Sequence, residues 1–176
     1  MALRTRRIVT GHGPNGKAIV ASDEVMEGVS APARPYISRC EIWSTDKMPV
    51  DNSEGPAGEA QRAGFVKRYN YVGTGQGAVI RITEFAPGAP KFMHRTETVD
   101  YAILLKGECD LELDDGKTVH MTPGDIVVQR GTMHAWVNNG KEPCTFAFIL
   151  IDADPVEIAG QKLTTHYHGP GPTEHR

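Results

Sequence analysis

The sequence GAPKFMHRTETVDYAILLKG, residues 88–107, places one histidine and several acidic residues just ahead of an apolar run that ends in glycine. Residues two apart in a β-strand face the same side, so His94 and Thr96 share a face if this stretch is extended. Asp100 likewise shares a face with the apolar residues Ala102 and Leu104. The stretch therefore predicts polar side chains, suited to chemistry, at the mouth of a buried strand.

A second stretch, GDIVVQRGTMHAWVN at residues 124–138, repeats this arrangement, with His134 and Trp136 on one face. If the two stretches oppose each other inside a barrel, two imidazoles and a carboxylate converge. Because side chains alternate, only one of Gln129 and Arg130 can point inward. We expect Gln129 to face the pocket and support the site, Arg130 to face solvent, and Trp136 to form part of the pocket wall.

Turn signals at short intervals characterise the chain from residue 77 onward, among them Pro-Gly, Asp-Gly and Asn-Gly pairs. The runs between them, such as AVIRITEF and TFAFILID, are rich in β-branched and aromatic residues and are of strand length. No helical period competes with this alternation. The pattern predicts an all-β sandwich or barrel over residues 77–155.

The flanking segments differ from this region. Residues 1–76 predict a β extension packed on the barrel, with a hairpin turning through Asn15-Gly16 and a further strand in ISRCEIWSTD that could join the main sheet. The small and polar residues 51–64 predict a mobile loop where any lid would lie, with one short helical turn at 59–63. Residues 156–176 predict a C-terminal tail, whose last part, THYHGPGPTEHR at 165–176, either frays or lies over a neighbouring subunit.

Together the two stretches resemble the two motifs of the cupin superfamily, and the resemblance covers about residues 77–153. It implies a double-stranded β-helix, a jelly-roll-like barrel, here with additional N-terminal strands. It also implies a fold that commonly holds a metal, and a homodimer paired through sheet edges. The matching positions are Gly88, His94 and Gly107 in the first motif, and Gly124, His134 and Asn138 in the second.

Two departures from the first motif affect the metal site that the resemblance implies. Thr96 stands where the family has a second histidine, and Asp100 stands where it has a glutamate. At most three ligands remain, His94, Asp100 and His134, which would leave open positions on Fe, Mn or Zn. Asp100 could instead accept hydrogen bonds from its neighbours. Glu97 is a substitute carboxylate, but it lies an odd number of residues from His94 and should point the other way.

Arg81 is a candidate for binding a substrate carboxylate. On AVIRITEF it shares a face with Val79, Thr83 and Phe85, and its planar fork suits bidentate recognition if that face looks inward. The alternative is a solvated arginine on the outer surface. Thr96 we assign to substrate contact or to support of the ligands.

Composition excludes several classes of function. A formal charge of -3 gives no surface for nucleic acid, and no apolar run is long enough to span a membrane. Three cysteines without any CxxC pairing predict a reduced, cytoplasmic protein.

The function that these features favour is a small-molecule enzyme with a divalent metal in the barrel. His134 and Asp100 would be its catalytic residues, and its substrate an aromatic, polyketide-like or oxo-acid compound. Dioxygenation, decarboxylation and isomerisation or cyclisation all stay open. Two alternatives also stay open: a metal-free ligand-binding module, and a metal-free acid/base enzyme with His134 or Asp100 as the proton carrier.

Overall fold

The computed structural model describes residues 3–45, 48–50, 52 and 77–167. Within these ranges the chain forms strands and one 3-10 turn, Asp114–Gly116, but no α-helix, so the all-β prediction is confirmed. No helix in the described part is long and apolar enough to cross a membrane. The strands are β1 Arg4–His12, β2 Ala18–Glu27, β3 Ile37–Thr45, β4 Ala78–Phe85, β5 His94–Arg95, β6 Thr98–Lys106, β7 Cys109–Leu113, β8 Thr118–Met121, β9 Ile126–Arg130, β10 His134–Val137, β11 Cys144–Asp152, β12 Val156–Ile158, β13 Gln161–Leu163 and β14 His166–Tyr167.

Two five-stranded antiparallel sheets form the barrel, in the orders β3-β4-β11-β6-β9 and β14-β5-β10-β7-β8. We call them the first and the second sheet. Their inner faces supply one continuous apolar core, to which the first sheet contributes Phe85, Leu104 and Phe146, and the second Leu111 and Trp136. The double-stranded β-helix prediction agrees with this arrangement, in which two antiparallel sheets pack their inner faces against each other.

The hairpin predicted at Asn15-Gly16 is confirmed, and an Asp-Gly turn signal also lies in a hairpin. β1 and β2 pair as a separate two-stranded sheet around the Asn15-Gly16 turn, and β7 and β8 pair around Asp115-Gly116. Gly16 and Gly116 both have positive φ, the conformation that favours glycine in tight hairpin turns. The remaining N-terminal strand, β3, pairs with β4 and so extends the first sheet, as the strand pattern of ISRCEIWSTD allowed.

Residues 156–167 of the C-terminal segment form strands and turns that pair within the same chain. β12 and β13 form a hairpin, and β14 pairs with β5, so that Tyr167 lies opposite His94. The Glu97 carboxylate fastens this segment by accepting hydrogen bonds from the backbone N–H and the hydroxyl of Thr165. The predicted loop at 51–64, apart from residue 52, and the helical turn at 59–63 lie outside the described residues.

Candidate functional site

A cavity of about 60 Å³ lies between the inner faces of the two sheets. One water needs about 10–15 Å³ measured in this way, so the cavity can hold a small organic group. Its wall combines aromatic side chains, three arginines, two histidines and one carboxyl group. The lining residues are Arg34, Ile37, Arg39, Arg81, Thr83, Phe85, Pro90, Phe92, His94, Thr96, Asp100, His134, Trp136, Phe148 and Leu150.

His94 and His134 lie side by side in this wall. They are direct partners in the pairing of β5 with β10, and their ring centroids are 4.4 Å apart. The Nδ1 atom of His94 lies 3.1 Å from the carbonyl oxygen of Phe92, and that of His134 lies 3.0 Å from the carbonyl oxygen of Thr132. Because a carbonyl oxygen can only accept, both Nδ1 atoms carry the proton, and in the neutral rings both Nε2 atoms keep a lone pair.

Both rings are neutral near pH 7. Burial lowers the pKa of His94 to about 3, and the neighbouring ring of His134 and the cations of Arg81 and Arg34 lower it further, against the bond to Phe92. Burial also lowers the pKa of His134. The cavity therefore contains two uncharged nitrogen bases, since desolvation disfavours the imidazolium form.

Asp100 supplies the carboxyl group of the cavity from β6. Its side chain is only 6% exposed, and burial raises its pKa from 3.8 to about 6. A hydrogen bond from Thr98 and the positive charge of Arg81 oppose that rise. The Thr98 hydroxyl is also 2.6 Å from the hydroxyl of Thr96, so a short polar chain links Thr96 to the carboxyl group.

The three side chains predicted as metal ligands do not form one ligand set. Within the described ranges, no group of three or more His, Cys, Asp or Glu side chains is close enough to hold a metal. The physical reason is their placement: the two histidines belong to the second sheet, whereas Asp100 belongs to the first. The substitute carboxylate, Glu97, is bonded to Thr165. The donors present thus comprise two adjacent imidazoles, which does not fit a catalytic metal with three protein ligands.

The predicted pocket residues have different positions. Arg81, Thr96 and Trp136 line the cavity, and Trp136 packs edge-on against His134 with ring centroids 5.6 Å apart. Gln129 is buried but does not line the cavity. Its side-chain amide donates to the carbonyl oxygen and the hydroxyl of Thr132, the residue whose carbonyl also accepts from His134. Gln129 therefore orders the turn that orients His134, whereas Arg130 is exposed.

Several residues in or beside the cavity were absent from the sequence-based prediction. Arg34 and Arg39 come from the N-terminal extension. Tyr167 stacks on His94 from β14, with centroids 6.1 Å apart and planes 12° apart. The alternation Ile37, Arg39 in ISRCEIW was a usable signal for an inward-facing cation. The two-residue strand that carries Tyr167 is too short to give any periodic signal.

The asparagine of the second stretch has a structural role. Asn138 is 1% exposed, and its amide group donates to the carbonyl oxygens of Phe85 and Glu142. Its side-chain oxygen accepts from the backbone N–H of Gly140. These bonds tie the loop after β10 to the end of β4, and so they fix the strand on which His134 lies.

Comparisons with known proteins agree with this architecture. The family model of the Cupin domain matches residues 81–151. The chain is 31% identical to the cupin-domain-containing oxidoreductase fogC of Aspergillus ruber, over 91% of this chain and 78% of that protein. It is 32% identical to the phomopsin biosynthesis cluster protein C' of Diaporthe leptostromiformis, over 92% of this chain and 86% of that protein. The solved polyketide cyclase RemF of Streptomyces resistomycificus superimposes with a TM-score of 0.48 at 16% identity, over 82% of this chain and 79% of that one.

Proposed function

The chain belongs to the cupin family, and from this premise we propose that it is an enzyme that transfers a proton on a small organic substrate held in the barrel cavity. The observation that carries the proposal is that two buried imidazoles and one buried carboxyl group line the same cavity. Burial lowers the pKa of both rings and raises that of the carboxyl group to about 6. Relatives named as an oxidoreductase and as a biosynthesis cluster protein support an enzymatic role in small-molecule metabolism.

Asp100 is the best-suited proton carrier. A general base works best when its pKa is close to the working pH, and a pKa of about 6 leaves most of this carboxyl group ionised at pH 7. It would accept a proton from a substrate carbon or hydroxyl and return it to another atom of the same molecule. Such a transfer isomerises or cyclises the substrate and needs no oxidant.

The two histidines would orient the substrate. Their Nδ1 atoms are engaged with backbone carbonyls, so each free Nε2 atom can accept a hydrogen bond from a substrate hydroxyl. Trp136, packed against His134, limits the movement of that ring. With these contacts, the substrate would be held in one orientation relative to Asp100.

Solvent exchange tests the proposal. In D2O, the wild type should exchange the carbon-bound protons next to the carbonyl of small 2-oxo acids, measured by proton NMR. Asp100→Asn should lower the rate at least about a hundredfold, the usual scale for loss of a general base, and His134→Gln should lower it less. The exposed Asp154 gives a matched control in Asp154→Asn. Binding of these acids without any exchange above buffer would contradict the proposal and favour a ligand-binding module.

The second candidate is an enzyme whose metal is held by His94 and His134 rather than by three protein ligands, and the adjacency of the two rings supports it. A histidine that binds a metal usually donates its other ring N–H to a carbonyl or carboxylate, and both rings do so here. Metal analysis of protein purified without a histidine tag separates the candidates. Near-stoichiometric Fe, Mn or Zn that is lost in both His94→Ala and His134→Ala would support this one. No retained metal after reconstitution with each ion would contradict it.

A further inference from the structure

In the cavity wall, hydrogen-bond partners within the described ranges are lacking for Arg81 Nε, Thr83 Oγ1 and Asp100 Oδ1. Each is buried, and Thr83 is only 1% exposed. Leaving a buried polar group without a partner destabilises the fold, so such groups are rare and usually serve a purpose. Their common position in one cavity indicates that a polar ligand satisfies them.

The strand register explains how these atoms come together. Arg81 and Thr83 are two residues apart on β4, so their side chains share the inner face of the first sheet. On the neighbouring strand, β11, Phe148 lies opposite Arg81. Asp100 lies on the other side of β11, in β6, opposite Leu150. Two hydrogen-bond donors and one carboxyl group thus face the same space across a floor of apolar side chains.

The cavity also has an excess of cations. Arg34, Arg39 and Arg81 line it, whereas Asp100 is its one lining carboxyl group among the described residues. Glu41 lies opposite Arg81 on β3, outside the lining, and offers a partly compensating charge. Arginine forks bind carboxylates with two parallel bonds, and the low dielectric of a buried site strengthens such bonds.

The apolar part of the wall determines which kind of ligand body fits beside the anionic group. The Arg34 guanidinium lies 4.0 Å from the centroid of the Phe92 ring, and the Arg81 guanidinium lies 5.9 Å from that of Phe148. Aromatic faces hold guanidinium groups flat and leave their N–H edges available. Together with Trp136 these rings suit a small unsaturated or aromatic body beside the anionic group.

We propose that Arg81 and Thr83 bind the carboxylate of a small organic acid, and that Asp100 faces the hydroxyl-bearing or carbonyl-bearing carbon next to it. The role given to Asp100 rests on the proposed function, whereas the carboxylate subsite stands on the arginine, the threonine and the charge of the cavity. The substrate class is therefore a hydroxy acid or oxo acid with an apolar or aromatic body.

Titration calorimetry with matched acids and amides tests the subsite, using benzoate against benzamide and propionate against propionamide. The wild type should bind each acid at least tenfold more tightly than its amide. Arg81→Gln should abolish that preference and leave amide binding unchanged, and Thr83→Val should weaken acid binding several-fold. Arg130→Gln, at an exposed arginine on β9, is the control and should bind as the wild type does.

Equal binding of acid and amide by the wild type, or an undiminished preference in Arg81→Gln, would overturn the proposal. Thermal unfolding of each variant establishes that it is folded. If Arg81→Gln does not fold, the nearly isosteric Thr83→Val still tests the proposal through the expected loss of acid binding. The exchange assay separates the two claims. Acid binding without exchange contradicts the proposed function alone, and equally fast exchange of oxo acids and neutral ketones contradicts the carboxylate subsite alone.

Discussion

At the scale of single residues, burial acts in opposite directions on the two kinds of titrating group in the cavity. Burial disfavours the charged form of both groups. It therefore lowers the pKa of His94 to about 3 and raises that of Asp100 to about 6. Near pH 7 the cavity can therefore contain neutral imidazole bases beside a carboxyl group that exchanges its proton. This separation is typical of sites that carry out acid/base chemistry.

The lowered pKa of His94 predicts that the folded chain loses stability in acid. The pKa of His94 is lower in the folded chain than its ordinary 6.5, so the unfolded chain binds more protons between about pH 3 and 6.5. The resulting stability is complete above pH 6.5 and is lost as the pH falls toward 3. In His94→Gln, the free energy of unfolding should fall less between pH 7 and pH 4, by about 3 kcal/mol.

Urea titrations at the two pH values measure this difference. His12→Gln serves as the control, because His12 is exposed in the separate β1–β2 sheet. An equal loss of stability in wild type and His94→Gln would contradict the buried, neutral state assigned to this ring.

Asp100 should have the opposite pH dependence. Its pKa is higher in the folded chain than its ordinary 3.8, so the folded chain binds more protons between about pH 4 and 6, and stability falls as the pH rises through this window. Asp100→Asn lacks the ionising group. Relative to wild type, its free energy of unfolding should therefore gain about 2–3 kcal/mol between pH 4 and pH 8. Urea unfolding measures this change. A difference in the free energy of unfolding between wild type and Asp100→Asn that stays constant from pH 4 to pH 8 would contradict the raised pKa.

At the scale of elements, alternation and turn residues predicted most strands, but left the orientation of β4 open. Its two faces are both plausible inner faces by sequence. The Arg81 face looks inward because the neighbouring strand, β11, places Phe146 and Phe148 on that side. Such a choice depends on strand pairing, which the sequence of one strand does not encode.

The same limit applies to the site. The sequence indicated His94, Asp100 and His134, but neighbouring strands determine which of them meet. His94 and His134 pair across β5 and β10, while Asp100 belongs to the other sheet. Arg39 had a usable signal in the alternation of its own strand. The contribution of Tyr167 depends on a distant two-residue strand that pairs with β5, and local patterns contain no information about such a long-range pair.

Gly107 lies between β6 and β7, at a position where the neighbouring backbone leaves no room for a side chain. Its φ is +75°, and a Cβ atom there would lie 2.6 Å from the carbonyl oxygen of Pro143 and 2.8 Å from the Cα of Cys144. Gly107→Ala should lower the free energy of unfolding by about 3 kcal/mol or more, since strain and a backbone clash add. Gly116→Ala, with φ of +69° and open space, should cost only about 1 kcal/mol. Equal losses in urea unfolding would contradict this difference.

At the scale of the whole molecule, the outer face of the first sheet supports the homodimer that the cupin resemblance implies, which stays a prediction. β9 is an edge strand, and its pairing with β6 creates an apolar outer surface. The exposed apolar residues there are Tyr101, Leu105, Ile126 and Val128. Exposed apolar patches on an unpaired sheet edge commonly mark sites of association.

Sedimentation velocity tests this prediction. The wild type should sediment as a dimer, and Val128→Lys should shift the population to monomer. Val119→Lys is the matched control, because Val119 is an exposed valine on β8, the edge strand of the other sheet. A wild type that is monomeric at all concentrations, or a dimer that Val128→Lys leaves intact, would contradict the assignment.

The central claim is that the cavity contains two uncharged imidazoles with free Nε2 atoms at neutral pH. Long-range nitrogen–proton NMR of protein labelled with 15N in histidine measures it directly, with signals assigned through His94→Gln and His134→Gln. We predict that both rings carry a single proton, on Nδ1, at pH 7, and that His94 stays neutral down to about pH 4. A doubly protonated ring near pH 7, or a proton on Nε2 of either ring, would contradict the account.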